Sequence, residues 1–151
     1  NRIGYCEPNC IKCSEVCPTG AISKISYNMK LWREEYLNNG IKIGTAFIDQ
    51  GRCLPWSMGT TCIVCEEWCP TSPKAIVLEN LNETIINKKT NKKLQRPYVD
   101  IEKCNGCGRC EYACPVSGRA AIYVTGAFNN RDNMFGKNNF INFRKVGKPD
   151  G

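Results

Sequence analysis

Twelve cysteines dominate the chemistry available to this sequence of 151 residues, and they fall into three groups of four. The groups are Cys6, Cys10, Cys13 and Cys17; Cys53, Cys62, Cys65 and Cys69; and Cys104, Cys107, Cys110 and Cys114. The chain contains no histidine, the commonest metal ligand and a frequent general base. Any metal chemistry therefore depends on thiolates.

The spacing within each group is typical of iron–sulfur ligation. The third group matches the run C-x2-C-x2-C-x3-C-P and ends at Pro115. The second group widens the first gap to eight residues and the first group widens it to three, and both also end in Cys-Pro. Because a cubane needs a soft thiolate on each of four irons, the pattern predicts three [4Fe–4S] clusters, with all twelve cysteines as ligands. Zinc sites and disulfide scaffolds do not require this repeat.

The elements that must position these cysteines also repeat. Short strands are predicted at 47–52 and 98–103, where each segment begins with an aromatic residue, a β-branched residue and Asp. After each Cys-Pro, a small-residue stretch ends in Ala-Ile, and we predict a second strand from Ile22, Ile76 and Ile122. The repeating unit is therefore strand, cysteine loop, one or two helical turns, Cys-Pro and strand.

The last cysteine of each group follows a helical turn, and in two-cluster ferredoxins it binds the neighbouring cluster. We therefore predict crossed ligation between the second and third groups. The two predicted ligand sets are Cys53, Cys62 and Cys65 with Cys114, and Cys104, Cys107 and Cys110 with Cys69. For the first group, either an upstream motif supplies its partner or all four cysteines close on one cluster. Crossed motifs come in pairs, which favours the upstream motif.

The predicted fold class is α+β. We expect a bacterial two-cluster ferredoxin-like domain at 45–125, preceded at 1–44 by a half ferredoxin-like module with the first motif and a linker helix over 28–38. An Asn- and Lys-rich segment at 80–97 predicts a projecting hairpin. We expect 126–151 to be a polar docking tail anchored on a partner by Phe128, Phe135, Phe140 and Phe143. Trp56 and Trp68 are predicted to shield clusters from water.

The net charge of the chain bears on whether it binds nucleic acid. The formal charge is +7, but three clusters with four thiolates each, at roughly −2 apiece, would reduce it to about +1. The excess of basic residues therefore predicts compensation for anionic clusters rather than nucleic-acid binding.

The sequence contains neither G-x-G-x-x-G nor another nucleotide, flavin or molybdopterin motif, so we expect an electron carrier with no small-molecule substrate rather than an enzyme. An alternative is the cluster-bearing subunit of a multi-subunit catalytic oxidoreductase.

The order of the motifs and the lengths of their gaps resemble those of the polyferredoxins of periplasmic nitrate reductase and methylamine-utilisation operons. The resemblance rests on the segment from Cys6 to Ile22, the eight-residue gap of the second group and the regular spacing of the third. The similarity covers residues 1 to about 125. The resemblance implies an electron relay through [4Fe–4S] clusters to redox protein partners in a membrane-associated complex. It implies the periplasmic side, with the cytoplasm as the alternative. Such proteins have four motifs, so the first one is expected upstream with a fourth cluster.

Overall fold

Short helices and paired strands make up the described parts of the chain, which are residues 4–31, 41–80 and 94–126 of a computed structural model. In chain order the elements are α1 (Lys12–Glu15), α2 (Tyr27–Lys30), β1 (Thr45–Ile48), a π-helical turn (Leu54–Met58), α3 (Val64–Glu67), β2 (Ile76–Asn80), β3 (Gln95–Val99), α4 (Arg109–Ala113) and β4 (Ile122–Thr125). The predicted α+β class is confirmed. Across these three ranges, none of the helices has the length and hydrophobicity that crossing a bilayer requires.

The strands form two antiparallel pairs that interlock the second and third cysteine groups. β1 pairs with β4, with Thr45 opposite Thr125, and β2 pairs with β3, with Ile76 opposite Val99. β1 and β3 lead into the second and third groups, whereas β2 and β4 leave them. Each sheet therefore combines the first strand of one motif with the last strand of the other.

Two equivalent turns follow the leading strands. The amide of Asp49 donates to the carbonyl oxygen of Ala121 at 2.8 Å, and that of Asp100 donates to Ala75 at 2.7 Å. Each aspartate carbonyl then accepts a bond from the amide of the first cysteine in its group, at 2.9 and 3.0 Å. These turns place both cysteine loops in the same way relative to their sheets.

The core between the two sheets consists mainly of cysteines and small residues. Its buried members are Ala46, Ala75, Ala120, Ala121, Ile76, Ile122, Cys53, Cys65, Cys104, Cys110 and Cys114. Alanine at four of these positions leaves space beside the thiols that larger side chains would fill. The core is therefore shaped around its cysteines.

The strand predictions are confirmed in part. β2 and β4 begin at Ile76 and Ile122 as expected, whereas β1 and β3 end at Ile48 and Val99, because the aspartate turns follow. The prediction of a strand from Ile22 is wrong. A strand after Cys-Pro pairs with the leading strand of another group, and the two leading strands among the described residues, β1 and β3, pair with β4 and β2.

The predicted linker helix begins as α2, where the Ser26 hydroxyl accepts a bond from the Met29 amide at 3.2 Å and caps the first turn. The rest of that prediction, from residue 32, lies outside the described residues. Pairing of Asn80 with Gln95 forms the base of the predicted hairpin. Its tip at 81–93 and the predicted tail from 127 also lie outside the described ranges.

Gly106 allows the third cysteine loop to approach the segment before β1. Its φ is +75°, and a Cβ there would lie 2.5 to 2.6 Å from backbone atoms of Gly44. A left-handed φ alone costs a non-glycine residue roughly 1–2 kcal/mol, and the clash adds to that cost. We expect Gly106→Ala to lower the thermal unfolding midpoint more than Gly118→Ala, which has φ +70° but no described atom within 4 Å. Equal losses would contradict this close approach.

Candidate metal centres

Four cysteines from two different groups line one apolar cavity in the core. They are Cys53, Cys62, Cys65 and Cys114. Pro55, Pro97 and Ile122 are among the residues that complete its wall. The first three cysteines belong to the second group and the last to the third, so the structure brings together the first crossed set predicted from the spacing. Their binding of a cluster stays a prediction.

A second cavity is lined by the reciprocal set. Its cysteines are Cys69, Cys104, Cys107 and Cys110. Ala46, Ala75 and Val124 are among the apolar residues around it. The two cavities therefore exchange their fourth cysteines.

Strand pairing explains this exchange. The chain runs from Cys114 into β4, and β4 pairs with β1, which leads to Cys53. It runs equally from Cys69 into β2, and β2 pairs with β3, which leads to Cys104. Each last cysteine is therefore carried to the sheet of the other group.

The arrangement of donors fits a four-iron cluster better than a single ion. In the described ranges, no three Cys, Asp or Glu side chains converge closely enough to hold one metal ion. Zinc needs its thiolates about 2.3 Å from one centre, whereas a cubane takes one thiolate on each of four separate irons. Four cysteines spread around an apolar cavity meet the second requirement.

Burial makes most of these thiols weak acids. Desolvation raises the pKa of Cys53 to about 11, of Cys107 to about 11 and of Cys65 to about 12, and neighbouring thiolates add to each shift. Desolvation also raises the pKa of Cys104 and Cys110. A metal must therefore displace protons from these cavities, which a strongly positive iron core can do.

Several donors point at cysteine sulfurs, and sequence reasoning missed them. Backbone amides of Ala46 and Ala121 donate to Cys104 Sγ at 3.3 Å and Cys114 Sγ at 3.4 Å. The Thr71 hydroxyl lies 3.2 Å from the Sγ of Cys69, which stands two residues before it in the sequence Cys-Pro-Thr. Hydrogen bonds to ligand sulfurs stabilise their negative charge and raise the reduction potential of a cluster. The threonine two residues after the cysteine was a usable sequence signal.

The first group differs from the other two. Cys6 and Cys13 line a wide, open cavity of about 490 Å³, together with Lys30 and Cys107. Neither Cys10 nor the fourth cysteine, Cys17, is among its lining residues. The structure therefore brings together two of the four cysteines and does not favour closure of all four on one cluster.

Cys17 has its own polar surroundings. Backbone hydrogen bonding from Ile22, followed by the Thr19 hydroxyl 3.7 Å away, lowers the pKa of Cys17 to about 7. Cys17 and Cys69 share the following Pro-Thr, and both place a threonine hydroxyl near the sulfur. Cys17 and Cys69, the last cysteines of the first and second groups, therefore share this threonine contact.

The first group packs directly on the loop of the third. The amide of Cys6 donates to the Cys107 carbonyl at 2.7 Å, and that of Ile43 donates to Asn105 at 3.0 Å. The buried Asn105 side chain donates to the Lys30 carbonyl at 2.7 Å. The three candidate centres are therefore neighbours within one packed structure.

The two tryptophans occupy different settings. Trp56 donates from Nε1 to the Pro97 carbonyl at 3.1 Å and packs against the cysteine core, with Arg96 over its ring. Trp68 is 38% exposed and meets the Tyr5 ring edge-on, with Arg109 over its face. Trp56 therefore packs on the cysteine core and Trp68 lies at the surface, and the shielding of clusters stays a prediction for both.

Comparison with known proteins gives consistent matches. The model of a 4Fe-4S binding domain family matches residues 96–122, which contain the third group. The methylamine utilization ferredoxin-type protein MauM of Methylorubrum extorquens is 32% identical over 114 residues, covering 76% of this chain and 44% of that protein. The ferredoxin-type protein NapG is 35% identical in Escherichia coli and 33% in Haemophilus influenzae, over 76% of this chain and 44% and 36% of those proteins. The chain spans less than half the length of these relatives, and no solved structure matches it.

Proposed function

Because the chain belongs to the ferredoxin-type [4Fe–4S] proteins that include MauM and NapG, we propose that it transfers electrons through three clusters in series. The chain binds [4Fe–4S] clusters, which supply reversible one-electron chemistry. In this proposal the chain carries electrons and catalyses no reaction of its own. Its residues hold the clusters, exclude water and set their potentials.

The observation that carries the proposal is the convergence of the cysteines from two motifs on two apolar cavities. The second and third groups exchange their last cysteines, so neither cavity has a full ligand set without the other motif. This arrangement supports a two-cluster ferredoxin-like domain at 45–125, with all eight of its cysteines as ligands. The apolar walls keep water from the sulfurs, which tunes reduction potential.

Contacts between the sites support a linear order. Cys107 lines both the cavity of its own set and the open cavity of the first group. Burial is the main cause that raises the pKa of Cys110, and the charge of Cys65, which lines the other of the two crossed cavities, adds to it. We therefore place the cluster with Cys107 in the middle, with the first-group cluster on one side and the Cys65 cluster on the other.

The two ends of this series are where redox partners would dock. At one end, Cys13 is exposed beside the open cavity. At the other end, Met58 and Ile63, which flank the partly exposed Cys62, are 71% and 40% exposed. We propose that a donor protein and an acceptor protein bind at these ends, within a membrane-associated complex.

Metal content tests the number of clusters. We expect about twelve iron and twelve sulfide per anaerobically purified chain, because each cubane contains four of each. This number requires that the first-group cluster completes its ligand set with Cys17 or with a ligand from a partner. Cys13→Ala should reduce this to about eight, since it removes a ligand from the open cavity and leaves the closed sets intact. A wild-type chain with about eight irons would contradict the third cluster, and zinc as the main metal would contradict the proposal as a whole.

Electron transfer needs a separate test. We expect every cluster to be reduced and reoxidised reversibly in a potentiometric titration followed by EPR. Irreversible bleaching of all clusters on reduction would contradict an electron-transfer role and would favour a structural one.

A further inference from the structure

A lysine is buried beside the first cysteine group. Lys30, at the end of α2, is 7% exposed, and its ammonium donates hydrogen bonds to the carbonyl oxygens of Glu7 and Cys10. These carbonyls belong to the loop that carries the first three cysteines of the group. The same lysine lines the open cavity together with Cys6 and Cys13.

Among the described residues, no carboxylate forms an ion pair with the charge of this lysine. In the three described ranges, the ion pairs involve Lys12, Lys74, Lys103 and Arg109, and none involves Lys30. Glu7, whose carbonyl it contacts, directs its carboxylate to Arg109 at 3.5 Å. Burying an ammonium is costly unless a negative charge compensates for it. The candidate anion in the cavity that Lys30 lines is a thiolate-ligated cluster.

We propose that Lys30 is the charge partner of the first-group cluster, holding its cysteine loop in place and raising its reduction potential. This inference rests on the proposed function, because it requires a cluster in the open cavity. Lys30 acts as a positioning residue, since its hydrogen bonds go to the loop carbonyls and its charge acts across the cavity.

The backbone of Lys30 is fixed from the other side. Asn105, itself 5% exposed, donates from Nδ2 to the Lys30 carbonyl at 2.7 Å. α2 is capped by Ser26, so both ends of this short helix are tied down. The position of the ammonium is therefore determined jointly by the first cysteine loop and the loop of the third group.

The sign of the effect follows from the charge of the cluster. Reduction adds one negative charge, so a nearby positive charge stabilises the reduced form more than the oxidised form. A buried charge is weakly screened by salt, whereas an exposed one is strongly screened. Lys12 is adjacent to Cys13 in sequence, but its side chain is 77% exposed and pairs with Glu15 at 3.2 Å. It provides a matched control for removing a charge from the same motif.

The test compares Lys30→Met, Lys30→Arg and Lys12→Met in the full chain, by iron content and by redox titration followed by EPR. The first-group signal is identified as the one that Cys13→Ala removes. In Lys30→Met we expect the ratio of reduced to oxidised first-group cluster at a fixed potential to fall at least tenfold, which equals a potential lowered by about 59 mV for one electron. Lys12→Met and Lys30→Arg should change that ratio less than threefold.

The outcomes separate this inference from the proposed function. An unchanged first-group potential in Lys30→Met, with iron content at the wild-type level, overturns the inference and leaves the three-cluster proposal intact. If Lys30→Met instead loses about four irons, recovery of the iron in Lys30→Arg supports the charge-partner role, and loss in both variants overturns it. A wild-type chain with about eight irons would contradict both the third cluster and this inference.

Discussion

Cys114→Ala is expected to remove the cluster that we propose for Cys53, Cys62 and Cys65, and to leave the cluster proposed for the Cys104 set largely intact. The substitution should lower the iron content by about four per chain. The physical reason is the pairing of β4 with β1, which carries Cys114 to the cavity of the second group. The neighbouring cavity is lined by its own four cysteines and needs no contribution from Cys114.

The measurement compares EPR spectra without assigning them in advance. The reduced spectrum of Cys114→Ala should match that of Cys53→Ala, and the spectrum of Cys69→Ala should match that of Cys104→Ala. These pairings are specific to crossed ligation, because each pair joins cysteines from different groups. If Cys114→Ala matches Cys104→Ala instead, each group binds its own cluster and the crossed assignment is wrong.

Removal of iron is expected to abolish the cooperative unfolding of the two-cluster domain proposed at 45–125. Among the described residues, the twelve buried hydrophobic ones include five cysteines and four alanines, and the larger apolar side chains are Ile76, Leu94 and Ile122. The span 45–125 is close to the size, about 70–80 residues, below which a core seldom buries enough apolar surface without a metal or disulfides. In this chain the clusters would join cysteines from both halves of the core, so their loss also removes the links between the two motifs.

Calorimetry and far-UV circular dichroism of anaerobically chelated protein test this expectation. The loaded protein should melt in one sharp transition, whereas the iron-free chain should show no transition with comparable enthalpy. Cys13→Ala is the matched control, because it affects the cavity of the first group and should preserve the sharp transition of the domain that holds the second and third groups. An iron-free chain that melts as sharply as the loaded one would show that the small core is sufficient by itself.

Local sequence patterns predicted much of the ferredoxin-like part. Ile76 and Ile122 open strands where Ala-Ile predicted them, and each of these strands has the leading strand of the other group as its pairing partner. The cysteine spacing also predicted which side chains meet around the two closed cavities. The last cysteine of each group follows a helical turn and precedes a proline, so it points away from its own loop, and two such repeats can exchange their last cysteines.

The surroundings of the first group were decided by tertiary structure. Its expected strand from Ile22 does not form, since strand pairing requires a partner that local sequence does not reveal. Its contact with the third group joins Cys6 to Cys107, about one hundred positions along the chain. The buried Lys30 bonds to Cys10, 20 residues away, and accepts from Asn105, 75 residues away. The cysteine ligands could be predicted from sequence because the cysteines of each group lie close together along the chain. The burial of Lys30 could not, because it depends on separate segments that meet only after folding.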